Sequence, residues 1–285
     1  MLSILYGIVS SLSWGAADFI GGLASKRTSP LRVLYLAEIA GFLPFLALAL
    51  LTREPIPPSG DLLLGALASL TGLGGLLFLY RALADGQMTI AAPLSALFAA
   101  VIPVIFGTLT LGHPSTTTLI GFGFAFLAVW LISQTNGMNE RFALSDTAAS
   151  LRANLSLPLL SGIFFGFYFI LIHKATLHAF FWTLTAARFA GFVVLGLSAL
   201  IMRQSPMPPR ETWGLCVFNG LIDIAGNGFY VLSSHVGRID VAAVLGALYP
   251  AATVILARIF LKERTLPIQN LGIAFAFLAI LLFTL

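Results

Sequence analysis

Charge is scarce in this chain. Aspartate, glutamate, lysine and arginine together make 9% of its 285 residues, against about 25% in an ordinary soluble domain. That deficit leaves no material for the polar surface of a sizeable soluble unit. With 59% hydrophobic residues and a mean hydropathy of +0.99, the chain reads as a polytopic membrane protein. Cysteine is scarcer still: Cys216 stands alone inside an apolar run, so no disulfide framework exists and the redox compartment is unreadable. The formal net charge of +4 is spread through short connectors, which is how a topology signal looks and not how a nucleic-acid surface looks. No G-x-x-x-x-G-K-[ST] loop is present, which argues against nucleotide hydrolysis. His113, His173, His178 and His235 fall near segment ends without paired-ligand spacing, so no metal site and no cofactor are expected. The first apolar run follows no basic n-region and is long enough to span, so it reads as a helix and not as a cleaved leader.

Long apolar runs are what the sequence has instead. Ten of them reach or approach the ~20 residues needed to cross a hydrocarbon core: Leu2–Leu23, Leu31–Leu51, Leu62–Ala82, Ala91–Leu111, Leu119–Ser133, Leu157–Lys174, Phe180–Met202, Thr212–Ser234, Val241–Leu261 and Ile268–Leu285. They are continuously apolar and do not alternate, so helices are expected and a strand barrel is excluded. The one long polar connector, 134–156, divides the chain into units at 1–133 and 157–285.

Those units are copies. Gly86–Leu131 reads without a gap onto Gly237–Leu282, with Phe124-Ala125-Phe126-Leu127-Ala128 falling on Phe275-Ala276-Phe277-Leu278-Ala279. Upstream, Ala37-Glu38-Ile39-Ala40-Gly41-Phe42 falls on Ala187-Arg188-Phe189-Ala190-Gly191-Phe192. Five spans per copy is an odd number, so the second copy enters the bilayer upside down. The expected fold is an all-α membrane protein of ten transmembrane helices, built as two inverted five-helix repeats around a central cavity. Eleven of the fifteen basic residues lie in or beside the odd-numbered loops (Lys26, Arg27, Arg32, Arg81, Arg141, Arg152, Arg203, Arg210, Arg258, Lys262 and Arg264). The positive-inside rule then puts those loops in the cytoplasm and both termini outside.

Ser13-Trp14-Gly15 in the first span, Leu248-Tyr249-Pro250 in the ninth, Lys262-Glu263-Arg264 beyond it, and Gln269-Asn270-Leu271-Gly272 opening the tenth complete a pattern. With the twofold five-helix repeat, it resembles the EamA type of the drug/metabolite transporter superfamily over nearly the whole chain. The first copy keeps Pro103 and Gly121 but has Gly112-His113 where that pattern carries a glutamate. The resemblance implies a carrier of small organic metabolites, such as amino acids or drug-like amphiphiles, moved by alternating access and by export, in the plasma (bacterial inner) membrane. It also implies a cavity lined by spans 1, 3, 4, 6, 8 and 9, and both termini in the cytoplasm. The charge asymmetry, being large and confined to short loops, is the orientation carried forward.

An ionisable residue within a span is costly and faces a cavity or a partner. Asp18, Glu38, Arg188, Asp223 and, nearer an end, Arg81 are such residues. In span 8, Asn219, Asp223, Asn227, Tyr230 and Ser234 fall within a stripe of roughly 80°. Their counterparts Ala68, Gly72, Leu76, Leu79 and Leu83 are apolar or small, so the fold itself does not demand the polarity. The stripe reads as a cavity lining, with an interhelical polar clamp as its rival. In span 1, Trp14 stands one turn from Asp18, an arrangement suited to a cationic or zwitterionic ligand. The rival reading packs Trp14 in the bundle and turns Asp18 toward headgroups. Glu38 and Arg188 occupy equivalent positions of the two copies, which suggests a structural or gating ion pair. The alternative is that Arg188 binds a substrate carboxylate. Pro93, Pro103 and Pro250 are expected helix breaks, and Tyr80, Tyr168 and Tyr249 offer hydroxyls and π faces to a substrate. A proton taken up by Asp223, Asp18 or Glu38 is a candidate coupled ion, and exchange of one metabolite for another is equally compatible. An intramembrane lipid-modifying enzyme needs a nucleophile with its base, or a metal, and neither is visible. The expectation is therefore a carrier with no catalytic residues, whose partners are its small-molecule substrate and the bilayer.

Overall fold

A computed structural model describes residues 1–84, 88–134, 148–261 and 266–285, giving only the backbone at 80–84, 88–93 and 148–155. Among the described residues every regular element is helical. The α-helices are α1 Leu2–Ser25, α2 Pro30–Leu51, α3 Ser59–Ala84, α4 Met88–Leu111, α5 Thr116–Ile132, α6 Ala148–Ala175, α7 Phe181–Ile201, α8 Trp213–Val236, α9 Ile239–Gly246, α10 Tyr249–Phe260 and α11 Pro267–Thr284. Nine stretches of the described residues are long and apolar enough to cross a membrane, with α9 and α10 counted together; α5 is a tenth, shorter apolar helix.

Helix starts follow local chemistry. Pro30 and Pro267 open α2 and α11, where the missing N–H costs nothing. The Ser115 hydroxyl accepts the Thr118 N–H at 3.2 Å and caps α5. Two expectations shift. α6 begins at Ala148, so the polar connector expected over 134–156 ends inside a helix. Pro93 and Pro103 do not break α4, which runs unbroken from Met88 to Leu111. One lost hydrogen bond is tolerated inside a packed bundle, and the Pro103 side chain is fully buried. The ninth span does break: it splits at residues 247–248, and Pro250 lies in the first turn of α10.

Packing shows the duplication directly. α1 lies along α8 as α6 lies along α3, while α2 meets its mate α7 and α5 its mate α11. Equivalent residues therefore face each other near the axis, as Phe124 and Phe275 do at 5.3 Å and Phe42 and Phe192 at 5.6 Å. Gly272 leaves room for Ile132 and its counterpart Gly121 for Phe283. Gln269 explains the motif that opens the last span. Its Oε1 accepts the Leu266 N–H at 2.9 Å, and its Nε2 donates to the carbonyls of Ile132 at 3.0 Å and Gln134 at 2.8 Å. One side chain thus caps α11 and ties it to the end of α5.

At the end of the bundle that carries the N-terminus, the repeats are laced by polar contacts. Ser3 and Ser233 exchange hydroxyl-to-carbonyl bonds at 2.9 and 2.7 Å. The Glu54 carboxylate accepts the Phe180 and Trp182 N–H groups at 2.7 and 2.9 Å, an anion at the start of α7. Arg238 pairs with the wholly buried Asp240 at 2.7 Å and donates to the Gly112 carbonyl at 2.8 Å.

Closer to the middle, α1 touches α10 through Gly15. A Cβ there would lie 2.5 Å from both the Ala252 Cβ and the Tyr249 carbonyl oxygen. Gly15→Val is expected to cost about 1–3 kcal/mol of stability by overpacking, read as a lower melting temperature in detergent. An unchanged melt would mean that the two helices do not meet there.

Candidate functional site

A cavity of about 180 Å³ lies between the two repeats, far larger than the water-sized voids usual in protein interiors. Its walls differ. Gly72, Leu73, Leu76 and Leu79 of α3, Ala96 and Ala99 of α4, and Phe165, Phe169 and Ile172 of α6 form an apolar face. Trp14 and Asp18 of α1, Glu38 of α2, Arg188 of α7, and Asp223 and Asn227 of α8 form a polar one, with Tyr168 and Tyr249 beside it.

The polar face is organised by Arg188. Its Nη1 lies 3.2 Å from Glu38 Oε1 and its Nη2 lies 2.5 Å from Asp223 Oδ2. The Asn227 Nδ2 donates to Asp223 Oδ2 at 3.1 Å and to the Asp223 carbonyl at 2.7 Å, and the Tyr168 hydroxyl donates to Asn227 Oδ1. The repeat explains why a charge pair sits here. α2 and α7 cross at the pseudo-twofold axis, where a residue meets its own counterpart. Two glutamates or two arginines would repel there, and opposite charges attract. The equivalent glycines make the space: a Cβ on Gly191 would lie 2.9 Å from the Glu38 carboxyl carbon, and one on Gly41 3.4 Å from Arg188 Cδ.

The sequence-derived candidates separate into groups. Trp14, Asp18, Glu38, Tyr168, Arg188, Asp223, Asn227 and Tyr249 all line the cavity. Trp14 also packs on Phe169 and Tyr230, with ring centroids 5.6 and 5.8 Å away. Three members of the α8 stripe do not reach the cavity. Asn219, 6% exposed, packs against Gly21 of α1. Tyr230, 0% exposed, donates its hydroxyl to the Phe169 carbonyl at 3.0 Å. Ser234 bonds His173 Nδ1 at 2.9 Å. A stripe of 80° on a buried helix faces α1 and α6 as well as the void, so only its middle, Asp223 and Asn227, lines the cavity. The side chains of Tyr80, Arg81 and Pro93, and the whole of Glu263, lie outside the described residues.

The sequence reading missed α2 and α7 as cavity walls, and missed Ser69, Phe165, Phe169 and Leu184. A signal for part of this was available. Gly72, Leu76 and Leu79 are the counterparts of Asp223, Asn227 and Tyr230, and two of the three pairs face the same void. Ser234 and His173 approach a nucleophile–base geometry, yet Ser234 is 2% exposed and donates its proton to the Val231 carbonyl at 2.9 Å. It is not poised to attack anything. Among the described residues no group of three His, Cys, Asp or Glu side chains could hold a metal.

Comparison with known proteins places this architecture. A solved structure titled only "Crystal structure of protein" is similar over 99% of this chain and 98% of its own, with a TM-score of 0.82 at 14% identity, a likeness of fold alone. No curated protein matches the sequence. The model of the EamA-like transporter family matches residues 1–134 and again 153–285, one match to each repeat. The chain thus belongs to the EamA-like transporter family, multi-pass membrane proteins that in general move small molecules.

Proposed function

We propose that the protein is a secondary carrier that exports small organic metabolites, such as amino acids or amphiphiles, across the plasma membrane by alternating access. The observation that carries this reading is a cavity at the junction of two inverted repeats, apolar on one side and charged on the other, near the middle of the spans. Such a chamber suits a substrate with an apolar body and a polar head. Carboxylates in the chamber make a proton the candidate coupled ion. With a proton gradient directed inward, protonation of Asp18, Glu38 or Asp223 on one side and substrate binding on the other would drive the substrate out. The excess of basic residues in the odd-numbered loops supports a topology with both termini outside.

Reconstitution tests the reading. Liposomes holding the purified protein and loaded with an amino acid or an amine are expected to take up labelled substrate in a saturable counterflow, and an imposed pH gradient is expected to raise the flux at least tenfold. Saturable counterflow without pH response would remove the proton and keep the carrier. No saturable flux for any amine or amino acid would remove the carrier.

A further inference from the structure

The four charged side chains on the cavity do not balance. Among the described residues three are carboxylates and one is a guanidinium, which leaves two formal negative charges uncompensated when all are ionised. The guanidinium is also spoken for. Arg188 directs one terminal nitrogen to Glu38 and the other to Asp223, so the forked face that a ligand carboxylate would engage is filled by the protein's own carboxylates. Asp18 is in the opposite position. It is exposed, it lines the cavity one turn from the Trp14 ring, and among the described residues it makes no hydrogen bond or ion pair. A second observation also points to a missing positive partner. Glu38 is 8% exposed and lines the same cavity, yet among the described residues its Oε2 has no hydrogen-bond partner. A buried acceptor left unsatisfied is unusual in a protein that needs nothing more.

We infer that the cavity recognises an organic monocation, a primary amine on an apolar or aromatic body that carries no carboxylate, and that Asp18 is the residue that selects it. This rests on reading the cavity as a substrate site. The ammonium pairs with Asp18 and lies over Trp14, whose π face attracts a cation. The hydrocarbon part lies against Leu76, Phe165 and Phe169 on the apolar wall. A zwitterion of the same size brings a carboxylate into a chamber whose described residues already have a negative excess, and the one cation among them is engaged twice.

The test uses three probes of one shape on the purified full-length protein: phenethylamine, phenylalanine and phenylacetate, with propylamine to phenylpropylamine as a length series, each measured by calorimetry in lipid nanodiscs. Phenethylamine is expected to bind at least about tenfold more tightly than phenylalanine, and phenylacetate not to bind. Asp18→Asn is expected to lose about tenfold or more for the amine with an unchanged melting temperature, and Asp18→Glu to keep most of the affinity. Equal or tighter binding of phenylalanine or phenylacetate, an amine affinity indifferent to Asp18→Asn, or no binding anywhere in the amine series would each overturn the inference. Amine binding through Asp18 without flux in liposomes would uphold the cation site and remove the carrier. Flux of amino acids that ignores Asp18 would do the reverse.

Discussion

Asp223→Asn is expected to reduce transport at least tenfold while the protein still folds. Asp223 reaches Arg188 at 2.5 Å and receives Asn227 at 3.1 Å. An asparagine keeps the size and one acceptor oxygen, and Arg188 keeps Glu38, so the bundle retains its contacts. What disappears is one of the fixed charges facing the void and one of two partners that hold the guanidinium in place. Each 1.4 kcal/mol lost between the states of a cycle is a factor of ten in rate or affinity. The measurement is initial flux into proteoliposomes, for whichever probe the native protein moves, beside a melting curve in detergent. A melt within a few degrees of the native protein and a collapsed flux is the expected pair. Undiminished flux would take Asp223 out of the transport cycle. A collapsed melt would make it an interhelical clamp.

Removing the central cation should do far more harm to the fold. Arg188→Met leaves Glu38 and Asp223 facing each other across the gap with no counter-charge, and the Glu38 carboxylate is already short of one partner. Breaking a buried pair by deleting one member costs about 3–5 kcal/mol, which for a chain of this size corresponds to a fall in melting temperature on the order of 10 °C. The triple substitution Arg188→Met, Glu38→Gln, Asp223→Asn is expected to recover most of that loss, because apolar or neutral groups can replace a buried ion cluster at little cost. A single variant as stable as the native protein would show that the cluster contributes no net stability. The simpler exchange of charges, Glu38→Arg with Arg188→Glu, is not expected to rescue either single change. The new carboxylate at 188 would lie against Asp223. Two symmetry-related positions suggest a pair, but the geometry is a triad, and the third member belongs to only one repeat.

That contrast marks how far the residues alone could lead. The apolar runs and the matching strings around Phe124 and Phe275 determine ten spans and their duplication, because bilayer thickness and backbone hydrogen bonding leave no other solution. The equivalence of Glu38 and Arg188 was readable as a meeting of opposite charges, since crossing mates at an axis must touch. Asp223 as the third partner was not, because nothing in one helix's periodicity says which neighbour its stripe will face. For the same reason Tyr230 and Asn219 looked equal to Asp223 on a helical wheel, yet one is locked to the Phe169 carbonyl and the other packed on Gly21. The prolines misled in the other direction. Pro103 sits in an intact α4, while the actual interruption falls at residues 247–248, just ahead of Pro250, which opens the next helix.

The split of the ninth span divides one crossing into two unlike pieces. Its first piece, α9, is buried at every residue and clasped to the opposite repeat through Arg238 and Gly112, while its second piece, α10, buries only Ala252. The joint between them, at residues 247–248, adjoins the chamber, which Ala247 and Tyr249 help to line. The corresponding span of the other repeat has no such joint. The boundary between a fully buried piece and a more exposed one therefore runs through a single membrane crossing instead of between two bodies, and it borders the chamber.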